Sequence, residues 1–296
     1  MEIRRARRED ADAVAEFTAD TWEHGDYLAD VFEDWVEAGG PTRRTFVAAD
    51  AADEAVGVVQ AVLLSDHEAW IQGLRVAPEA RGTGTGTALM EASLDWAAEA
   101  GAAVARCMVF SWNVQGLGQT RAVGFEAASE FRWVHPEPDA DATPVGDVHD
   151  DPEAAWAFWT HADAREHLDG LVLDDDEPWA LSELSRERLH EAADEGRLLV
   201  CHEPGVGTRG FALRARTDGL AEVARAEYAV AAWHSDAACR DVFTAIARDA
   251  AAQDATEARV LIPETARAVS DVATARVDVG DEPDFVMACD LSARRG

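Results

Sequence analysis

The chain has 296 residues, enough for two ordinary domains, and carries 58 acidic against 26 basic residues for a formal net charge of −32. Every basic residue is an arginine. With no basic stripe to neutralise phosphates, nucleic acid is excluded as a partner, and with no run of about 18 apolar residues no membrane partner is expected. The acids are spread through both halves, which reads as a solvated surface adapted to molar salt rather than a docking site for a basic partner. Cys107, Cys201, Cys239 and Cys289 lie far apart with no metal or redox spacing, so buried thiols, no metal and a soluble, cytoplasmic protein are expected.

In chain order, the pattern predicts a strand at 3–7, helices at 10–21 and 27–38, and strands at 45–49, 55–64 and 69–76. A helix at 85–100 follows, with Leu89, Met90, Trp96 and Ala97 on one face, Glu91, Asp95 and Glu99 on the other, and Gly101 at its C-terminal cap. A strand at 104–110, a short helix from about Val114 and a strand at 125–134 complete the first half. "HPEPDADATP", residues 135–144, combines three prolines with acids and small residues and reads as a linker. This gives domains at 1–134 and 145–296.

The second half repeats the element order of the first. "GRLLVCHE" answers "RTFVAAD", "TRGFALRART" answers "AVGVVQAVLL", "AEVARAEYAVAA" answers "AWIQGLRVAP", and a helix from about Ser235 leads to "EARVLIPE". Trp156 and Trp159 read as helix core. "FVMACDL", residues 285–291, is a final strand that suits either sheet.

The most informative stretch is "RVAPEARGTGTG", residues 75–86, where an apolar strand turns at a proline and delivers three glycines before a helix. Successive backbone amides in such a turn bind an anion through hydrogen bonds and the helix dipole. A P-loop needs a lysine that the chain lacks. A dinucleotide site needs G-x-G-x-x-G and an acid ending the next strand, whereas this chain offers Gly82, Gly84 and Gly86 and ends that strand "VFSWN". The second half has "WHSDAAC" at the matching place, with no bare backbone to offer.

Arg81, Gly84 and Gly86, with Val76 and Pro78 upstream and Asn113 and Gly124-Phe125 downstream, resemble the Gcn5-related N-acetyltransferases (GNAT). The resemblance covers residues 1–134 and implies an α/β (α+β) GNAT fold, a twisted mixed sheet flanked by helices. The chain then resembles tandem, halophilic members of haloarchaeal type, with a degenerate second domain. It implies that residues 81–87 (Arg81, Gly82, Thr83, Gly84, Thr85, Gly86, Thr87) cradle the pyrophosphate of acetyl-CoA. Leu74, Arg75 and Val76 would pair their main chain with the pantetheine arm, and Asn113 would bond the same arm, although its position also suits a helix N-cap. Gly73 suggests a bulge that splays its strand from the next.

The resemblance further implies Glu68 as the base, acting through water on the acceptor amine. His67 is the competitor, because neighbours on a strand face opposite sides and a bulge at Gly73 shifts the register. Trp22, Tyr27 and Trp112 are candidate acceptor-pocket residues; Trp22 and Tyr27 equally suit pins between helices. Thr120 stands where many members have the tyrosine that protonates the departing thiolate. The activity implied is acetyl transfer in a ternary complex to a primary amine, on a small molecule or a protein N-terminus. The alternative is a non-catalytic acyl-CoA sensor or interaction module.

Carboxylate repulsion is screened within about 3 Å at 1 M salt but reaches about 10 Å at 0.1 M. Lowering salt from molar to millimolar should therefore reduce the melting temperature markedly. An unchanged value would reassign the charge to a basic partner.

Overall fold

The computed structural model describes residues 1–21, 25–220 and 223–294, so Trp22 lies outside the described residues. The chain divides into two compact units, residues 1–127 with 286–296, and residues 128–285.

The first unit contains β1 (Glu2–Arg5), α1 (Ala11–Thr18), α2 (Leu28–Glu37), β2 (Arg43–Ala49), β3 (Ala55–Leu63), β4 (Glu68–Val76), α3 (Thr85–Glu99), β5 (Val104–Phe110) and α4 (Val114–Ala122). Its strands run β1-β2-β3-β4-β5, with β1 through β4 antiparallel and β4 parallel to β5. Helix α3 turns Leu89, Leu94 and Ala97 fully inward, each large aliphatic contributing roughly 1.5–3 kcal/mol. On the opposite face of the sheet, α1 and α2 bury Val14, Leu28 and Phe32 against Val47 and Val58.

The second unit is built from β6 (Glu126–His135), which enters it at residue 128, and then β7 (Asp147–His149), α5 (Pro152–Trp159), α6 (Asp163–His167), β8 (Leu171–Leu173), β9 (Leu181–Glu183) and α7 (Arg186–Asp194). There follow β10 (Leu198–Glu203), β11 (Gly207–Leu220), β12 (Val223–Trp233), α8 (Asp236–Ala252), β13 (Glu257–Pro263), α9 (Ala266–Ala275) and β14 (Asp278–Val279). Its sheet order is β6-β13-β12-β11-β10-β7, and β12 is parallel to β13 as β4 is to β5. Trp159 is fully buried, as a helix-core residue should be.

The last strand, β15 (Asp284–Asp290), lies beside β5, and residues 286 onward belong to the first unit. The Leu291 amide donates to the Ala103 carbonyl at 2.9 Å, and Arg294 reaches Glu91 and Asp95 of α3 at 2.6 Å each. That resolves where the 285–291 strand goes.

The units therefore do not divide at 134 and 145 as the proline-rich segment suggests. Residues 131–134 pair with 260–263 of β13 inside the second unit. The 135–144 segment is laid along α8, the Asp139 amide donating to the Ala247 carbonyl at 2.9 Å and the Val145 amide to Asp241 Oδ1 at 3.1 Å. Proline and acid content reported a loop, not a boundary.

All four cysteines are free and buried. Burial pushes the Cys107 thiol up and that of Cys201 up to about 12, which leaves little thiolate for nucleophilic or redox chemistry. No helix among the described residues is long and apolar enough to cross a membrane.

Candidate active site

The parallel pairing of β4 with β5 is short. It runs from Glu68 opposite Val104 to Trp70 opposite Arg106, after which residues 71–76 and 107–110 continue beyond it. The cause is a bulge. On β3, Gln60 faces Gln72 and Val58 faces Arg75, so residues 73–74 oppose Val59 alone. Gly73 supplies the left-handed φ of +64° that the bulge needs, and a Cβ there would lie 2.5 Å from Trp35 Cη2 of α2.

The bulge decides the side-chain faces. Gln72 donates to Gln60 Oε1 at 2.8 Å and Gln60 to Thr45 Oγ1 at 3.1 Å, a polar row across β2, β3 and β4 that shares its sheet face with Val47 and Val58 and so with α1 and α2. After the bulge it is Arg75 that turns to this side. It reaches Asp26 Oδ2 at 2.6 Å, and Asp26 Oδ1 accepts from the Leu28 amide at 3.1 Å, which ties the start of α2 to β4. The Tyr27 ring meets Trp35 edge-on at 6.2 Å and lies 5.9 Å from the Arg75 guanidinium.

Beyond Val76 the chain makes a 3-10 turn at Pro78–Ala80 and enters α3. Gly82 and Gly84 take φ of +74° and +87°, Gly84 as the N-cap residue, and neither has an atom within 4 Å of where a Cβ would stand. Arg81 Nε holds the Val76 carbonyl at 3.0 Å and Thr83 Oγ1 the Ala80 carbonyl at 2.7 Å, which fixes the turn from both ends. The first amides of α3 have no acceptor within the helix, and the glycines leave the backbone open in front of them. One side of the loop borders a cleft of about 610 Å³ whose lining includes Glu16, Asp20, Asp50, Glu54 and Glu79. Those carboxylates repel an anion. The other side carries Thr87, whose Oγ1 accepts from Gln119 Nε2 of α4 at 3.2 Å.

The profile of the Acetyltransferase (GNAT) family matches residues 9–125, which span the bulge, the loop and α4. Over residues 9–125 the first unit is similar to the GNAT acetyltransferases. That family transfers acetyl groups with acetyl-CoA as co-substrate, and the match supports an enzyme of the N-acetyltransferase kind. Among curated proteins none matches the sequence. Solved structures do match over nearly the whole chain. A GCN5-related N-acetyltransferase from Sphaerobacter thermophilus superposes with a TM-score of 0.63 at 16% identity, covering 98% of this chain and 95% of that one. A proposed acetyltransferase from Thermoplasma acidophilum gives 0.58 at 17%, covering 98% and 100%. A GCN5-related N-acetyltransferase from Kribbella flavida gives 0.50 at 16%, covering 99% and 71%. At such identities these relatives establish the fold.

Within the first unit the expected site residues separate into groups. Leu74, Arg75, Val76 and residues 81–87 line the run from bulge to loop. Asn113 is the N-cap of α4, its Oδ1 accepting from the Gly116 amide at 2.9 Å. Trp112 is half exposed and stacks on Phe110 at 5.2 Å with the rings 6° from parallel. The Thr120 hydroxyl is buried and donates to the Leu117 carbonyl at 3.0 Å. Glu68 is 3% exposed while the His67 side chain is 55% exposed, so the bulge does not turn His67 inward.

Glu68 is engaged on both oxygens: Arg106 Nη1 reaches Oε1 at 2.5 Å and Ser65 Oγ donates to Oε2 at 3.0 Å. Sequence reasoning missed Arg106 and Ser65. A lone arginine inside the apolar run "VARCMVF" was the available signal.

Because Gly73 sits under Trp35, Gly73→Ala should lose about 2–4 kcal/mol of stability, and Trp35→Leu in that background should recover all but the roughly 1–2 kcal/mol owed to the left-handed backbone. Denaturation at high salt, read as a double-mutant cycle, measures both. Strictly additive losses would contradict the contact.

Proposed function

We propose that the first unit transfers an acetyl group from acetyl-CoA directly to a primary amine, on a small molecule or a protein N-terminus, within a ternary complex. One observation carries this reading: two left-handed glycines bare the backbone at the start of α3, directly after a strand that a bulge has parted from its parallel neighbour. The loop amides of residues 82–87 hold the pyrophosphate. The pantetheine arm takes the place of a strand along residues 74–76, with Asn113 at its far side while also capping α4. An amide at the bulge, freed from the ladder, donates to the developing oxyanion.

Glu68 is the base in this reading, drawing the amine's proton through water. Thr120 is committed to its own helix, so solvent protonates the thiolate, a weak base with a pKa near 8.5 in free cysteine. The second unit contributes no cofactor site: at the place of the glycine loop, Ser235 Oγ accepts from the Ala238 amide at 3.2 Å, so the start of α8 is capped by its own chain. Arg267 holds the His234 carbonyl at 2.6 Å, and the Trp233 indole donates to Asp271 at 2.9 Å. The committed Thr120 hydroxyl also favours a second reading, an acyl-CoA sensor without turnover. The acidic surface suits a high-salt cytoplasm.

Calorimetry with acetyl-CoA at high salt should show binding by the wild type and by Gly118→Asp, and its loss in Gly84→Asp with Gly86→Asp. Equal binding by all three would overturn the site. Release of free CoA thiol above the hydrolysis background with any member of an amine panel would reject the sensor.

For the base, Glu68→Gln should lower kcat/KM about 10²-fold, with His67→Ala near wild type. Arg106→Met, which removes the ion pair and keeps the carboxylate, should cost stability more than turnover. Full activity in Glu68→Gln would dismiss Glu68.

A further inference from the structure

The edge of the second sheet brings together three side chains that the acetyltransferase chemistry does not use. Asp147 and His149 are two residues apart on β7 and therefore share a face. On β10, His202 lies directly opposite Asp147, and Val200 opposite His149, so His202 stands on that same face diagonal to His149. One ligand atom from each of Asp147, His149 and His202 can be chosen so that all three lie within 4.8 Å of one another, and the two imidazole rings are 5.7 Å apart. Among the described residues none of the three side chains is engaged in a hydrogen bond or ion pair.

Two backbone features hold this corner. The β10–β11 register shifts between Cys201 and His202, which re-aims His202 at the end of its strand. Gly146, just before β7, approaches so closely that a Cβ would lie 2.5 Å from the His202 carbonyl oxygen. On the other face, Cys201 and Val148 are packed into the core of the unit. The backbone is thus fixed beneath side chains that are left at the surface.

We propose that Asp147, His149 and His202 bind a divalent transition-metal ion of the zinc type, with water completing the coordination. Two imidazoles and one carboxylate suit zinc, copper or nickel and not the oxygen-preferring calcium or magnesium. Bonds of about 2.0–2.2 Å to a tetrahedral ion place ligand atoms roughly 3.3 Å apart, so side-chain rotation closes the remaining gap without moving the strands. The neighbouring Asp150 and Asp151 add negative charge that favours a cation. The ion would clip β7, a three-residue edge strand, to β10. The sequence shows no metal spacing because the donors come from strands about 50 residues apart.

The test is a zinc titration of the full chain at high salt, followed by calorimetry and by the melting temperature. The wild type should bind one equivalent tightly enough to raise the melting temperature, and excess calcium should not displace it. His149→Ala and His202→Ala should each weaken binding about 10-fold or more and abolish the thermal shift, while their melting temperatures without metal stay at the wild-type value. His161→Ala, an exposed histidine elsewhere in the unit, should behave as wild type. Replacing zinc with cobalt should give visible absorption bands of imidazole-bound Co²⁺ in the wild type and His161→Ala, and in neither of the other two variants. Equal zinc binding by wild type and the His149→Ala, His202→Ala double variant, or displacement by calcium, would overturn the proposal and leave only diffuse attraction to carboxylates. Acetyl transfer is not a readout here, so the two proposals fail independently.

Discussion

Parallel pairing between β4 and β5 lasts for three residue pairs and then stops, and the chemistry of the first unit depends on that stop. A parallel pair left to itself would continue, since residues 107–110 are extended and apolar. What prevents it is the extra residue at Gly73–Leu74, held in place because Trp35 occupies the volume a side chain would need. The backbone is therefore shaped by an absence on one strand and an aromatic ring on a helix. The same bulge swaps which residues face α1 and α2, so the polar row ending at Gln72 is followed by Arg75 and its carboxylate partner.

Each unit secures the start of its parallel pair in the same way. In the first, Arg106 of β5 meets Glu68 of β4; in the second, Arg259 of β13 meets Glu227 of β12, with Arg216 of β11 also on Glu227 at 2.7 Å. Glu68, Glu227, Arg106 and Arg259 are all below a tenth exposed. Removing one partner of such a pair strands a buried charge and is costly, whereas the intact pair contributes little net stability against an apolar substitute. Arg259 in addition sits in the corner between the perpendicular rings of Trp133 and Trp179, each ring centre 4.3 Å away. The motif is thus a device of register more than of stability. It marks where the strands must begin together so that they can later part.

The features legible in the sequence are those that a few consecutive residues decide. The loop at 81–87, the cap of α3 at Gly101, the bulge at Gly73 and the N-cap role of Asn113 follow from glycine conformation and side-chain length, and each is found where local rules put it. The pairing of Arg106 with Glu68 was not legible, because Arg106 is 38 residues away and nothing near Glu68 points to it. Strand destinations were hidden for the same reason. Residues 125–134 and 285–291 both read as ordinary strands, and only long-range pairing distributes them. The proline-rich stretch misled because proline prevents regular structure without saying which body a loop rests on.

The exchange of strands has a consequence for how the protein is made. The first unit has nearly all its residues by position 127, yet its sheet takes β15 beside β5, with Leu291 and Arg294 fastening it to Ala103 and α3. At roughly 5–20 residues per second, the ribosome needs on the order of ten seconds or more to reach that strand after the glycine loop has emerged. Throughout that interval the flank of β5 is an unpaired edge, open to the wrong strand. The nascent acetyltransferase thus remains unfinished until the whole second unit has been translated, and a ribosome that stalls within that unit releases an incomplete first sheet.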